Sequence, residues 1–110
     1  MNLSISGDAS SLVRKSRLRK PCVKVNLEYK PPVCTSSFCR KRPYVSVSIV
    51  EENSVNEGFV RVVTVSSIPV YFARPLFELA EREGRPVNID ARGGWKFRRL
   101  VVEGLDPYKL

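Results

Sequence analysis

The chain has 110 residues, a net charge of +8 and no histidine. This length accommodates one domain and a tail. No apolar run approaches the roughly 20 residues of a membrane span, and residues 1–12 lack the basic leader and apolar stretch of a secretory signal. We therefore expect a cytoplasmic protein with no membrane partner. The absence of Gln and the single Met, beside abundant Arg and Glu, favour a thermophile.

Positive charge is concentrated in the N-terminal half of the chain. Residues 14–42 carry ten basic residues and one acid, a net +9, whereas residues 51–83 carry six glutamates and three arginines, a net −3. Basic residues return over residues 92–99, where Trp95 and Phe97 lie among them. A one-sided cationic surface with interleaved aromatic rings is typical of proteins that bind nucleic acid. The alternative is a solvated cationic surface with no dedicated partner.

Residues 1–20 are predicted to form a flexible polar and basic arm. Residues 1–11 are small and polar, and residues 12–20 place five basic residues among a few apolar ones. A basic arm is favoured over an edge strand because like charges repel one another in a folded strand. Residues 21–110 are then a single β-rich domain.

Alternating apolar residues predict three strands in the first half of this domain. The cleanest covers residues 22–30, and the two prolines that follow it predict a long loop over residues 31–43. A second strand is predicted over residues 44–51. The third, over residues 59–66, is apolar on both faces, which predicts a central strand covered on both sides.

The second half predicts a helix and a hairpin. Pro75 fits the first turn of a helix that covers residues 75–83 and stops at Gly84. Two strands, over residues 86–92 and 95–103, flank a tight Gly-Gly turn. The alternation slips within the last strand, which predicts a bulge near Arg98 and Arg99.

The predicted order of three strands, a helix and two strands resembles the OB-fold, a five-stranded, partly open Greek-key barrel. The resemblance covers residues 22–105, and other small α+β sheets share this order. We therefore predict a mainly β (α+β) fold: a small five-stranded OB-like barrel or curved antiparallel sheet. One short helix lies between strands 3 and 4, and a basic N-terminal arm precedes the first strand.

This resemblance also implies a binding site. OB-folds bind oligonucleotides across strands 2 and 3 and through the loops that join strands 1–2 and 4–5. Those loops correspond here to residues 31–43 and 92–97, which are both basic and aromatic. Single-stranded nucleic acid offers phosphates to Arg and Lys, and bases that stack on aromatic rings. The predicted nucleic-acid-binding residues are Arg17, Arg19, Lys20, Lys24, Phe38, Arg40, Lys41, Arg42, Arg92, Trp95, Lys96, Phe97, Arg98 and Arg99.

Aromatic residues in these loops have two possible roles. Trp95, with Arg92 and Lys96 beside it, is the best candidate for a stacking platform, and Phe38 is the next. The alternative for Trp95 and Phe97 is packing in the core. For Phe38 the alternative is that its ring covers a disulfide.

The three cysteines do not point to a metal site or a catalytic site. Cys34 and Cys39 share a short loop and are the favoured pair if a disulfide forms, the alternative being reduced thiols. Structural zinc requires four Cys or His ligands, and the chain has three Cys and no His. The usual base for a Ser or Cys nucleophile is also missing. We therefore expect no metal, no cofactor and no enzymatic activity.

We expect a non-enzymatic protein that binds nucleic acid, most favourably single-stranded DNA or RNA. Sequence-specific duplex binding is disfavoured because the one predicted helix is acidic on its exposed face. The alternative is a small adaptor subunit of a larger protein or nucleoprotein assembly, or a homodimer. Its interface would be supplied by the apolar residues 59–66 and 68–72.

Overall fold

A computed structural model of the protein describes residues 1–35, 38–94 and 98–110. The strands and helices in chain order are β1 (Leu3–Ile5), α1 (Gly7–Arg14), β2 (Pro21–Cys34), β3 (Cys39–Glu51), β4 (Phe59–Val63), β5 (Pro69–Ala73), α2 (Arg74–Glu83), β6 (Val87–Arg92) and β7 (Arg99–Glu103). Short 3-10 turns lie at Glu52–Ser54 and Pro107–Lys109.

In the part of the chain that the structure describes, the strands form two sheets. A four-stranded sheet has the order β3-β2-β5-β4, and a three-stranded sheet has the order β1-β6-β7. Two strand pairs are parallel, β2 with β5 and β1 with β6, and the others are antiparallel. The fold is therefore mainly β, as predicted, but it is not the predicted five-stranded barrel. The predicted order lacked β1, which has only three residues, and β5, which two prolines bracket.

One face of the four-stranded sheet, here called the inner face, packs into the core. It presents Val23, Val25, Val70 and Phe72, all with no exposed surface. Leu76 of α2, Val13 of α1 and Ile89 of β6 belong to the same buried cluster. The opposite, outer face carries the alternate residues of each strand, beginning on β2 with Cys22, Lys24 and Asn26.

The N-terminal residues differ from the predicted flexible arm. β1 pairs with β6, and α1 buries Ala9 and Val13 in the core. Ser6 caps this helix, its side-chain oxygen accepting a hydrogen bond from the Ala9 backbone N–H. Because β1 is short and α1 buries few apolar side chains, neither element produces a strong periodic pattern in the sequence. Residues 15–20 connect α1 to β2 and contain no helix or strand.

Residues 31–43 are not the predicted long loop but part of a hairpin. β2 and β3 remain paired as far as Cys34 and Cys39. Pro31 falls at an irregularity of the ladder between Lys30 and Val33, where a residue without a backbone N–H breaks no regular strand pairing. The Arg42 guanidinium donates a hydrogen bond to the Pro31 carbonyl oxygen at 2.9 Å, so this carbonyl has a partner although the ladder is irregular there.

The strand predicted to be central is an edge strand. β4 ends the four-stranded sheet; Val63 is 49% exposed, and Val65 just beyond the strand is fully exposed. The apolar residues on both faces of β4 are therefore not a sign that both of its faces are buried.

The later elements agree with the sequence. α2 covers the predicted helix, and Gly84 ends it in the left-handed conformation with φ 66°. β6 and β7 form an antiparallel pair as predicted, but β7 begins at Arg99 and the last register pair is Arg92 with Arg99, so a two-residue Gly-Gly turn does not join the strands. The predicted bulge near Arg98 depends on residues 95–97, which lie outside the described residues.

Candidate nucleic-acid interface

The outer half of the β2–β3 hairpin, residues 29–44, is here called the hairpin arm. Leu27 and Val45 are the last paired residues that pack against the core, and beyond them the described side chains of the arm are exposed or half-buried. The arm contains four basic residues and no acid. A disulfide between Cys34 and Cys39, the pair favoured by the sequence, closes its tip.

Three aromatic rings of the arm each lie beneath a cation. The Arg40 guanidinium is 5.4 Å from the centroid of the Phe38 ring. Lys41 is 5.7 Å from the Tyr29 ring, and Lys30 is 5.6 Å from the Tyr44 ring. Because residues alternate between faces along a strand, Tyr29 and Lys30 point to opposite faces of the arm. Both faces therefore offer a ring beside a positive charge.

The rings of the arm are accessible to a ligand. Tyr29 is 56% exposed and Phe38 is 53% exposed. Tyr44 is half-buried, and its hydroxyl donates to the Glu28 carboxylate at 2.6 Å. That hydrogen bond orients the ring and raises the pKa of Tyr44.

An open groove lies between the arm and the C-terminal turn. Its volume is about 390 Å³, and its lining residues are Thr35, Phe38, Arg40, Lys41, Arg42 and Tyr108. Tyr108 is exposed and was not among the residues predicted from the sequence. Its one sequence signal is a neighbouring basic residue, Lys109, far along the chain from the arm.

The described basic residues that follow the second predicted loop lie beside β3 but not beside the tip of the arm. Arg98 and Arg99 line a shallow depression with residues 47–49 of β3. Seven residues separate Lys41 from Ser48 along β3, which is roughly 23 Å of extended chain. Arg92 is engaged in an ion pair with Glu103. Trp95, Lys96 and Phe97 lie outside the described residues.

The remaining predicted residues are remote from the arm. Arg17, Arg19 and Lys20 precede β2, and Pro21 pairs with Glu51 at the opposite end of the hairpin from the disulfide. Thirteen residues along β2 correspond to about 43 Å. Lys24 lies on the outer face, with its ammonium 4.9 Å from the Phe59 ring centroid. The structure thus brings together Phe38 and Arg40–Arg42 and leaves the other basic clusters apart from them.

Within the described residues, no group of three or more His, Cys, Asp or Glu side chains could hold a metal ion. Cys22 is fully buried, and burial raises the pKa of its thiol to about 11. A protonated, buried thiol is a poor nucleophile at neutral pH.

Comparison with known proteins gives no further assignment. No protein-family model matches the chain, and no curated protein matches its sequence. Neither of the helices in residues 1–35, 38–94 and 98–110 is long and apolar enough to cross a membrane.

Proposed function

We propose that the chain is a non-enzymatic protein that binds nucleic acid, with single-stranded DNA or RNA favoured over duplex, through its hairpin arm. The observation that carries this proposal is the grouping in the arm of four basic residues, no acid and three aromatic rings, each ring beneath a cation. Cations that flank accessible rings suit a ligand with a phosphate backbone and flat bases.

Single strands are favoured because the rings can stack only on bases that are not already stacked and paired. Stacking on an aromatic side chain is worth about 1–3 kcal/mol per base, and it tolerates any base sequence. A two-stranded ribbon also fits a DNA major groove, so duplex DNA is the competing ligand in any test. The disulfide limits the conformational freedom of the tip, which lowers the ordering cost of binding.

The disulfide also bears on where the protein works. Disulfides are rare in an ordinary cytosol but persist in intracellular proteins of hyperthermophiles. Both the basic arm and its disulfide agree with a cytoplasmic nucleic-acid-binding protein of a thermophile.

The proposal is tested by fluorescence anisotropy with labelled single-stranded DNA, single-stranded RNA and duplex DNA at two salt concentrations. We expect single strands to bind more tightly than duplex and the affinity to fall steeply with salt. In the variant with Tyr29→Leu and Phe38→Leu, single-strand affinity falls and the salt slope is retained, because the cations remain. Absence of binding to every nucleic acid at low salt contradicts the proposal.

A second candidate function is an adaptor that joins a protein partner. The observation that favours it is the edge strand β4 of the four-stranded sheet. Its last residue, Val63, is exposed, and so is Val65 two residues beyond it. Free strand edges pair with extended segments of other chains. A protein complex that is stable at high salt and is lost in the Val63→Lys variant would support the adaptor function instead.

A further inference from the structure

The outer face of the four-stranded sheet packs against the core at one end, where Phe59 contacts the buried cluster to which its register partner Ala73 belongs. Both helices and the second sheet contribute to the buried cluster that covers the inner face. On the outer face, Tyr44 of β3, Phe59 of β4 and Tyr71 of β5 are half-buried rather than buried. Within the described residues, three of the four strands of this sheet thus carry a half-buried aromatic ring on the outer face.

Basic and small polar side chains surround these rings. In the register of the sheet Lys24 pairs with both Ser48 and Tyr71, and Tyr71 pairs with Arg61, so these four residues form one row across the outer face. Asn26 and Ser46 form the adjacent pair of β2 and β3. Amide and hydroxyl groups of this kind can donate to or accept from the edges of bases.

The acids of this face are already engaged. Glu28 accepts the hydrogen bond of the Tyr44 hydroxyl at 2.6 Å. Glu52 forms an ion pair with Arg61 at 3.4 Å. Burial and a hydrogen bond with Glu52 raise the pKa of Tyr71. Glu28 keeps its negative charge, because a tyrosine hydroxyl is neutral, but within the described residues Lys24 forms no ion pair with Glu28 or Glu52.

The outer face is continuous with the hairpin arm. Lys30 pairs with Arg42 on the same side of β2 and β3 as Lys24. Six residues of β2 separate Lys24 from Lys30, a distance of about 20 Å along the strand. A row of cations with interspersed rings thus runs from the arm onto the sheet. Another protein is a poor occupant for this face, because the cores of protein interfaces are depleted of charged residues such as lysine.

We propose that the outer face, through the rings of Phe59 and Tyr71, is a second stacking platform on which a single strand bound to the arm continues. This inference rests on the proposed function of the arm. The phosphates follow Lys30, Arg42 and Lys24, and bases stack on the rings of β4 and β5. The Lys24 ammonium, which lies against the Phe59 ring, moves to a phosphate when a base takes its place.

The test compares two ligands on the full-length protein: a labelled 20-nucleotide single strand and an abasic strand of the same length. Phe59→Leu with Tyr71→Leu removes both rings and keeps apolar side chains. We expect this variant to bind the base-bearing strand about 5- to 150-fold more weakly per stacked base lost. Binding of the abasic strand is unchanged, because it depends on the phosphates.

A matched control is Phe77→Leu, which removes a half-buried ring of α2, a helix that contributes to the core. Thermal unfolding followed by circular dichroism checks that each variant is folded. Unchanged affinity of the folded Phe59 and Tyr71 variant, or equal loss for both strands, would overturn the sheet platform while leaving the arm as the binding site. If the unaltered protein binds neither strand, both the proposed function and this inference fail.

A second measurement needs no variant. Strands that carry 5-iodouracil crosslink to nearby aromatic side chains on irradiation, and peptide mass spectrometry identifies the residue. Crosslinks at Phe59 or Tyr71 in the unaltered protein are the expected result. Crosslinks confined to the hairpin arm would overturn the platform and still support the arm.

Discussion

Asp90 on β6 fixes the start of α1. Its carboxylate accepts a hydrogen bond from the Ser6 hydroxyl at 2.6 Å and another from the Ala91 backbone N–H at 2.8 Å. Ser6 in turn accepts from the Ala9 N–H at 3.1 Å and caps the helix. Hydrogen bonds to the charged form lower the pKa of Asp90, first through Ser6 and then through the backbone of Ala91.

Asp90→Asn is expected to lower the melting temperature only where Asp90 is ionised. Because the folded-state pKa lies below the unfolded value, the stabilisation is present above the unfolded pKa, near 3.8, and is lost as pH falls through the folded value. The melting temperatures of the parent and the variant should therefore differ most at pH 6, and the difference should shrink as the pH falls through the folded-state pKa of Asp90. Circular dichroism at a series of pH values measures this. A difference that is constant over the whole range would contradict the assigned charge effect.

At the scale of the elements, two glycines with positive φ follow α2 and β7, and glycine is needed at each position for a different reason. Gly84 has φ 66° and no atom within 4 Å of the position a Cβ would take. Gly104 has φ 96°, and a Cβ there would lie 2.2 Å from the Pro86 carbonyl oxygen. The second glycine therefore permits a close approach of two backbone segments as well as an unusual dihedral angle.

Gly104→Ala is expected to destabilise the fold more than Gly84→Ala. The left-handed conformation alone costs a non-glycine residue about 1–2 kcal/mol. Steric overlap with backbone adds roughly 1–3 kcal/mol at Gly104. Chemical denaturation of both variants gives the two free energies of unfolding. Equal losses would show that the chain after β7 shifts freely and that the close approach is not required.

Elements with strong local signals could be predicted from the sequence. α2 has a proline in its first turn, an apolar face and a glycine stop, and it forms where expected. The extent of the hairpin arm could not be predicted, because a proline pair normally ends a strand and only the ladder irregularity accommodates it. The edge position of β4 depends on the long-range pairing of β2 with β5, which no local pattern reveals.

Opening the disulfide is expected to weaken binding of single strands to the arm. Closing a loop of this size removes about 2 kcal/mol of conformational entropy from the open chain, which sets an upper limit of roughly 30-fold on the lost affinity. The variant with Cys34→Ser and Cys39→Ser is compared with the parent by anisotropy. Cys22→Ser is the matched control, because Cys22 is buried on β2 and outside the arm. Equal affinities of the double variant and the parent would mean that the tip does not contact the ligand.

At the scale of the whole molecule, the basic residues that the structure describes form separate clusters and not one cleft. The sequence indicated which residues are basic and aromatic, and the structure places Phe38 and Arg40–Arg42 together on the arm. It also places Arg17–Lys20 at the far end of the same hairpin. Charge density along the chain could not predict this separation, because the extended hairpin carries neighbouring segments of sequence tens of ångströms apart.

This separation predicts that the basic clusters contribute unequally to binding. Reversal of charge in the arm, by Arg40→Glu, Lys41→Glu and Arg42→Glu, should weaken binding to all single strands and reduce the slope of log K against log salt by about 2. The matched variant, Arg17→Glu, Arg19→Glu and Lys20→Glu, makes the same change of net charge at the opposite end and should alter the slope much less. Anisotropy titrations at four salt concentrations measure both slopes. Equal effects would mean that net charge, and not the arm, governs binding; a larger effect at Arg17–Lys20 would move the interface to the other end of the hairpin.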